Sequence, residues 1–209
     1  MDGLEQLEAV YRAHHEARRP REFVYCGPER SPLFREWVGT GGRVLDIGCR
    51  FGALTRWYLD GNTLVGVDVD REALQEARSL GIETVWADAA EVLPFDEESF
   101  DVVVLGELLE HLPLPGRTVA DAWRVLRPGG RLVGSVPNAY RLKGRLAFLF
   151  GRPPEPDPTH LHLFSPDDLR RLLAHFDQVQ LRFVAGRLTP LHPRLFANDI
   201  CFRARKPPR

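Results

Sequence analysis

The residues best placed to do chemistry are two aspartates and the turn between them. Asp46 lies in the run RVLDIGCRFGALT (43–55), which reads as a buried strand, a tight turn bearing Gly48 and Gly52, and the start of a helix. Backbone N–H groups at such a turn can hold an anionic or polar cofactor group, although two glycines could also serve the turn sterically. Asp68 ends the next predicted strand, about twenty residues after Asp46, where a carboxylate can accept both ribose hydroxyls. The spacing therefore predicts a nucleoside-containing cofactor.

Length and composition limit the classes of protein that the chain can belong to. Its 209 residues, 44% of them hydrophobic, are enough for one substantial core. A net charge of -1 provides no global field that would hold nucleic acid or an anionic membrane, so such a partner would need a local patch and neither is expected. The three cysteines lack metal-site spacing, and neither a disulfide framework nor a metal site is predicted. With no signal-peptide or transmembrane pattern, a cytoplasmic location is expected, while the oligomeric state stays open.

Strands that alternate with helices organise the rest of the chain. Runs of Val, Leu and Ile predict strands at 43–47, 63–67, 82–86, 100–105, 131–136, 178–184 and 199–205. Helices are predicted at 52–60, 70–80 and 165–175, which indicates a parallel sheet covered on both faces. The link between the last two strands is too short and Pro-rich for a crossover helix, so the last strand should be antiparallel. The prediction is a doubly wound α/β fold with a seven-stranded, mostly parallel sheet between two helical layers.

Two segments lie outside this alternation. Residues 1–42 form a predicted helical extension, whose first helix (4–19) either packs beside the sheet or covers a pocket as a lid. Residues 139–150 form a basic and aromatic helix, for which packing of the apolar side on the domain is favoured over contact with an anionic membrane. A Pro-rich loop follows this helix.

Four blocks of sequence resemble the class I S-adenosylmethionine (SAM) dependent methyltransferases, in the small-molecule branch that includes ubiquinone-biosynthesis-type O-methyltransferases. They are VLDIGCRFGALT (44–55), VGVDVD (65–70), WADAAEVLPFDEESFDVVVLGELLEHL (86–112) and WRVLRPGGRLVGSVPN (123–138). The resemblance implies a Rossmann-like methyltransferase domain over 43–209, with an acceptor-side insertion at about 137–164. It also implies SAM as cofactor, S-adenosylhomocysteine as product and an oxygen atom of a small molecule as methyl acceptor, with a lipid among the possible acceptors. A nicotinamide-dependent oxidoreductase and a non-catalytic SAM-binding module remain as alternatives.

The resemblance further implies roles for residues at the strand ends. Those that would approach the methionine portion of SAM or brace the turn there are Asp46, Gly48, Cys49, Arg50, Gly52, Leu105 and Gly106. Those that would hold the ribose and the adenine are Asp68, Val69, Asp88 and Ala89. The family turn usually has glycine where Arg50 stands. Because a left-handed arginine would cost about 1–2 kcal/mol, we expect a negative φ at Arg50, with its guanidinium directed toward the cofactor carboxylate, a substrate anion or solvent.

Methyl transfer to a hydroxyl also requires a group that takes the hydroxyl proton. The candidates are Glu107, Glu110, His111, His160 and His162. An imidazole has an ordinary pKa of about 6.5 and can accept a proton at neutral pH. His160 and His162 alternate with leucines in a segment that reads as extended, which places both imidazoles on one side.

Overall fold

The computed structural model describes residues 3–18, 21–155 and 157–209, without the side chains of residues 14–18. Its strands are β1 (Arg43–Ile47), β2 (Thr63–Asp68), β3 (Glu83–Trp86), β4 (Phe100–Gly106), β5 (Leu126–Pro137), β6 (Asp177–Val184) and β7 (Asp199–Arg205). They form one seven-stranded sheet in the order β3-β2-β1-β4-β5-β7-β6. Strand β7 pairs antiparallel with both β5 and β6, and the other pairings are parallel. The predicted mostly parallel sheet with an antiparallel last strand is confirmed.

Helices cover both faces of this sheet. They are α1 (Gly3–Arg18), α2 (Gly27–Val38), α3 (Arg71–Ser79), α4 (Pro115–Val125), α5 (Leu142–Leu149), α6 (Pro166–Leu172) and α7 (Pro193–Phe196). One apolar cluster joins Leu45 and Val103 to α4 and α6, and a second joins Val44 and Val102 to α2 and α3. Successive strand residues point to opposite faces, so continuous apolar runs supply both clusters. The three-layer prediction is therefore also confirmed.

The predicted helix at 52–60 is wrong. The segment contains a single 3-10 turn, Thr55–Tyr58. The Thr55 and Tyr58 hydroxyls both donate to the Asp46 carboxylate, so a tertiary interaction with β1 determines the local backbone. The predicted end of the first helix at Arg19 and Pro20 lies outside the described residues.

The apolar side chains of α5 and its C-cap do not pack on the domain, which corrects the favoured interpretation of this segment. Phe148, Leu149 and Phe150 are 74%, 74% and 77% exposed. The helix contacts the domain through Gly144, where an added Cβ would collide with the Ala139 carbonyl. A glycine allows this close backbone approach, and the large apolar side chains consequently face away. Within the described part of the chain, no helix is long and apolar enough to cross a bilayer.

Lys206 anchors the C-terminal segment after β7. Its side-chain nitrogen donates to the carbonyl oxygens of Trp123 and Leu126, at 2.8 and 2.6 Å. The residue is buried, and only one other lysine, the exposed Lys143 on α5, occurs in the chain. The end of the chain is thus fixed to the junction of α4 and β5.

Candidate active site

The carboxyl ends of β1, β2 and β4 open into a cavity of about 610 Å³. Such a volume suits a cofactor together with part of a small molecule. Nine of the eleven residues that the resemblance assigns to the cofactor line it: Asp46, Gly48, Cys49, Arg50, Asp68, Val69, Asp88, Ala89 and Gly106. The other two lie beneath the cavity, Gly52 against Leu80 and Ile82, and Leu105 within the core.

The turn after β1 is fixed to β2 by backbone hydrogen bonds. The N–H groups of Gly48 and Cys49 both donate to the Val67 carbonyl, at 2.8 and 3.1 Å. Gly48 has φ of +80°, and Arg50 has φ of +48°, so the predicted negative φ at Arg50 is wrong. The Arg50 N–H donates to Asp68 Oδ2 at 2.9 Å, and this charge-assisted bond helps offset the cost of about 1–2 kcal/mol for left-handed arginine.

Asp46 connects β1 to the 3-10 turn beneath the cavity. Its Oδ2 accepts hydrogen bonds from Thr55 Oγ1 at 2.5 Å and from the Tyr58 hydroxyl at 2.7 Å. Burial raises the pKa of Asp46 to about 6, although both hydroxyl bonds oppose the shift. The Asp46 carboxyl group therefore holds the 3-10 turn Thr55–Tyr58 against the end of β1.

Two further aspartates stand at the ends of neighbouring strands. Asp68 is 7% exposed, and its two oxygens accept from the N–H groups of Arg50 and Asp70, at 2.9 and 3.0 Å. Burial raises the pKa of Asp68, while these two bonds favour the ionised form. Asp88 lies beyond β3 and accepts from the Ala90 N–H at 2.8 Å. Each Asp68 oxygen uses one lone pair for the backbone and retains another for a ligand hydroxyl.

The segment after β2 is held by an indole ring. Trp86 Nε1 donates to the Val69 carbonyl at 2.9 Å, and the Arg71 guanidinium lies 3.6 Å from the centre of the same indole. On the other side of the cavity, Gly106 ends β4, where an added Cβ would come within 2.8 Å of Leu54. Bare backbone at Gly106 thus borders the cavity.

A group of Glu110, His111 and His160 stands at the far end of the cavity. Glu110 is 1% exposed, and within the described ranges neither of its carboxylate oxygens has a hydrogen-bond partner. His111 Nε2 lies 4.0 Å from Glu110 Oε1, and His111 Nδ1 lies 3.0 Å from Thr159 Oγ1. The rings of His111 and His160 are in edge contact, with centres 4.8 Å apart. One potential ligand atom from each of the three side chains lies within 4.8 Å of the others, so they could together hold a divalent cation.

Burial raises the pKa of Glu110 well above its usual range, and the nearby Glu107 adds to the shift. The loop that carries His160 is joined to this region by a backbone hydrogen bond, in which the Leu161 N–H donates to the Glu110 carbonyl at 2.7 Å. The loop after α5 thereby brings His160 to the 3-10 turn Leu109–His111, which follows β4.

Glu107 belongs to a buried network of charges. Its Oε1 accepts from Ser135 Oγ at 3.0 Å and lies 3.2 Å from Arg30 Nη1. The same Arg30 nitrogen lies 3.6 Å from Asp199 Oδ2. Burial and the Glu107 charge raise the pKa of Asp199 well above its usual range. Glu107 thus lines the cavity while its carboxylate is engaged by Ser135 and Arg30.

His162 is not among the described residues that line the cavity. Its Nε2 lies 3.3 Å from the Pro113 carbonyl, and its ring stands beside Phe164. The structure thus brings His111 and His160 together and leaves His162 outside the group.

Helix α1 covers part of the cavity. Leu7, Val10 and Tyr11 line it, and the Tyr11 hydroxyl donates to the His111 carbonyl at 3.4 Å. This position is the one that a lid would occupy.

Comparisons with known proteins agree with this geometry. A family model described as "Methyltransferase domain" matches residues 45–134. A ubiquinone biosynthesis O-methyltransferase of Photobacterium profundum is 30% identical over 199 residues, covering 89% of this chain and 79% of that relative. The chain belongs to the class I SAM-dependent methyltransferases. A second relative with the same name, from Pseudomonas putida, is 34% identical over 133 residues, covering 54% of this chain and 56% of the relative. The match thus spans about half the length of several of these curated relatives.

The fold of this methyltransferase chain is also found among solved structures. A SAM-dependent methyltransferase from Archaeoglobus fulgidus superposes with a TM-score of 0.69 at 21% identity, covering 98% of this chain and 100% of that one. SAM is the cofactor of the family, and the residues present fit it. Asp68 retains acceptor capacity at the cavity wall, while Gly48 and Gly106 expose backbone there.

Sequence reasoning missed several cavity residues of this methyltransferase. Arg30 in the predicted helical extension, Arg141 in the predicted basic helix and Glu155 in the Pro-rich loop have no predicted role, yet all three line the cavity. A signal for Arg30 was present, because it lies on the same helical stripe as Phe34 and Trp37, which are buried. No local pattern distinguishes Arg141 or Glu155, since both depend on how the insertion folds back.

Proposed function

We propose that this methyltransferase transfers the methyl group of SAM to a hydroxyl oxygen of a small molecule. The observation that carries the proposal is the single cavity that joins the strand-end aspartates to the pair His111 and His160. The aspartates suit the binding of a nucleoside, and the histidines can act as the proton acceptor. The names of the curated relatives support an oxygen acceptor.

The chain has little chemistry to perform beyond binding and orientation. SAM supplies a methyl group that its sulfonium already activates for displacement. Asp68 would accept the ribose hydroxyls, Asp88 would accept from the adenine amino group, and the Gly106 carbonyl would accept from the methionine amine. Arg50 stands at the turn, where its charge favours a carboxylate. Fixing the cofactor and the acceptor in line accounts for most of the rate enhancement expected of such a site.

His111 and His160 are the bases that the arrangement favours. His111 is oriented through Nδ1 by Thr159, which leaves Nε2 directed toward Glu110. His160 contacts the His111 ring and lines the cavity. A proton taken from the acceptor hydroxyl would be retained by one of these imidazoles.

The test of the proposal is the release of S-adenosylhomocysteine from SAM in the presence of hydroxylated small molecules. Mass spectrometry of ligands that co-purify with the protein would guide the choice of acceptors. A shift of the melting temperature with SAM and none with NAD is expected. Binding of SAM without turnover of any acceptor would favour a non-catalytic SAM-binding module, and a shift with NAD alone would favour the oxidoreductase.

Substitution of the histidines tests the proposed base. We expect His160→Ala to lower methyl transfer at least tenfold and to leave the affinity for S-adenosylhomocysteine within about twofold, since a general base contributes about 10²–10⁴ in rate. His162→Ala, outside the cavity, is the matched control. Full turnover in the His160→Ala and His111→Ala variants would remove the histidines from the mechanism. Loss of activity on chelation, restored by Mg²⁺, would replace the base by a cation held at Glu110, His111 and His160.

A further inference from the structure

Arg141 and Glu155 form a second polar group in the cavity. Arg141 precedes α5, Glu155 lies in the Pro-rich loop after it, and their side chains are only 13% and 9% exposed. Arg141 Nη1 donates to Asn198 Oδ1 at 2.6 Å, and its guanidinium is hydrogen-bonded to the Tyr25 side chain. Arg141, Glu155 and Tyr25 all line the cavity.

The guanidinium and the carboxylate face each other without a hydrogen bond. Arg141 Nη2 lies 3.6 Å from Glu155 Oε1, which is longer than a hydrogen bond. Among the described residues, Arg141 Nε and Glu155 Oε1 are buried and have no hydrogen-bond partner. Leaving buried charged groups unsatisfied is costly, so such a pair needs an explanation in the function of the protein.

The chemistry of the pair selects the group that could bridge it. A guanidinium only donates hydrogen bonds, and a carboxylate only accepts them. A hydroxyl group can accept from the first and donate to the second at the same time. A carboxylate would be repelled by Glu155 and an ammonium by Arg141, so an uncharged hydroxyl is the ligand group that suits both.

We propose that Arg141 and Glu155 bind a second, uncharged hydroxyl group of the methyl acceptor, which is therefore a neutral molecule with at least two hydroxyls. The inference rests on the proposed function, in which another hydroxyl of the same molecule receives the methyl group near His111 and His160. Arg141 and Glu155 thereby determine specificity and take no part in the proton transfer. An aromatic diol and a sugar share this chemistry.

Binding of model compounds tests the subsite without requiring turnover. The probes are catechol, methyl glucopyranoside, phenol and benzoate, measured by calorimetry with and without saturating S-adenosylhomocysteine. At least one of the two polyhydroxy probes is expected to bind about tenfold or more tightly than phenol and benzoate. Catechol and methyl glucopyranoside distinguish an aromatic diol from a sugar.

Two conservative variants address the residues themselves. Arg141→Lys retains the charge and loses the planar fork, and Glu155→Gln retains the shape and loses the charge. Each is expected to lower the affinity of the preferred polyhydroxy probe about fivefold or more, because charge-assisted bonds are about twice as strong as neutral ones. Arg145→Lys, on the exposed face of α5, is the matched control. The affinity for S-adenosylhomocysteine should stay within about twofold in all three.

Three results would overturn the inference. They are equal binding of phenol or benzoate, no binding of either polyhydroxy probe, and unchanged probe affinity in the Glu155→Gln variant, which replaces a carboxylate whose Oε1 has no hydrogen-bond partner among the described residues. Failure of the parent protein to bind S-adenosylhomocysteine would instead count against the proposed function, and the measurements without it would still test the subsite.

Discussion

Replacing Asp68 gives the sharpest test of the cofactor site. Each hydrogen bond to a charged group contributes about 1.5–3 kcal/mol, and the carboxylate is expected to hold two ribose hydroxyls. Asp68 also accepts from the N–H groups of Arg50 and Asp70, so alanine would disturb the turn as well as the ligand contacts. Asp68→Asn retains one acceptor oxygen and should weaken binding about 10- to 150-fold, whereas Asp68→Ala should lose more than about a hundredfold.

The assay is calorimetric titration with S-adenosylhomocysteine, after thermal unfolding has shown that each variant is folded. Asp70→Asn is the matched control. Asp70 caps α3 by accepting from the N–H groups of Glu72 and Ala73, and asparagine caps helices equally well. The control should keep its affinity within about twofold. Unchanged affinity in both Asp68 variants would show that this carboxylate does not hold the cofactor.

Three further changes have outcomes set by the structure. Because burial raises the folded-state pKa of Asp46 to about 6, the free energy of unfolding should fall as the pH rises from about 4 to about 6. Asp46→Asn should remove up to about 3 kcal/mol of that fall. Urea unfolding that gives the parent and the variant the same dependence of stability on pH would refute this expectation. Gly134→Ala should destabilise by about 1–3 kcal/mol, because its Cβ would collide with the Phe202 ring. Gly116→Ala, whose Cβ would meet only Leu172 Cδ1 at 3.9 Å, should be neutral or stabilising by thermal unfolding. Because Phe148 is exposed, we expect the protein to sediment with anionic liposomes at low salt and the Phe148→Ser variant to lose this sedimentation. A parent protein that stays in the supernatant would exclude membrane binding.

The sheet could be predicted from the sequence because its central strands are buried on both faces. Apolar runs bounded by Gly and Pro placed β1 and β7 at 43–47 and 199–205, the ranges that the structure shows. The segment at 52–60 could not be predicted in the same way. Its backbone is determined by the hydrogen bonds that the Thr55 and Tyr58 hydroxyls donate to Asp46. Helical propensity does not include such a tertiary contact.

Some residues of the site could likewise be predicted from the sequence, and others depend on tertiary contacts. The aspartates at strand ends follow from the rule that parallel strands present their carboxyl ends at one edge. Arg50 was expected at negative φ because intrinsic cost favours it, but the bond from its N–H to Asp68 outweighs that preference. Arg141 and Glu155 reach the cavity from the insertion, whose path depends on long-range contacts such as that of Arg141 with Asn198.

The burial of Lys206 has a practical consequence for labelling. With its amino group enclosed by two carbonyl oxygens, an amine-reactive fluorophore has one accessible lysine in the folded protein, the exposed Lys143. That residue lies on α5, two positions after Arg141. Once the α-amino group is blocked, a single dye there would report any change around α5 on addition of an acceptor, without any engineered cysteine.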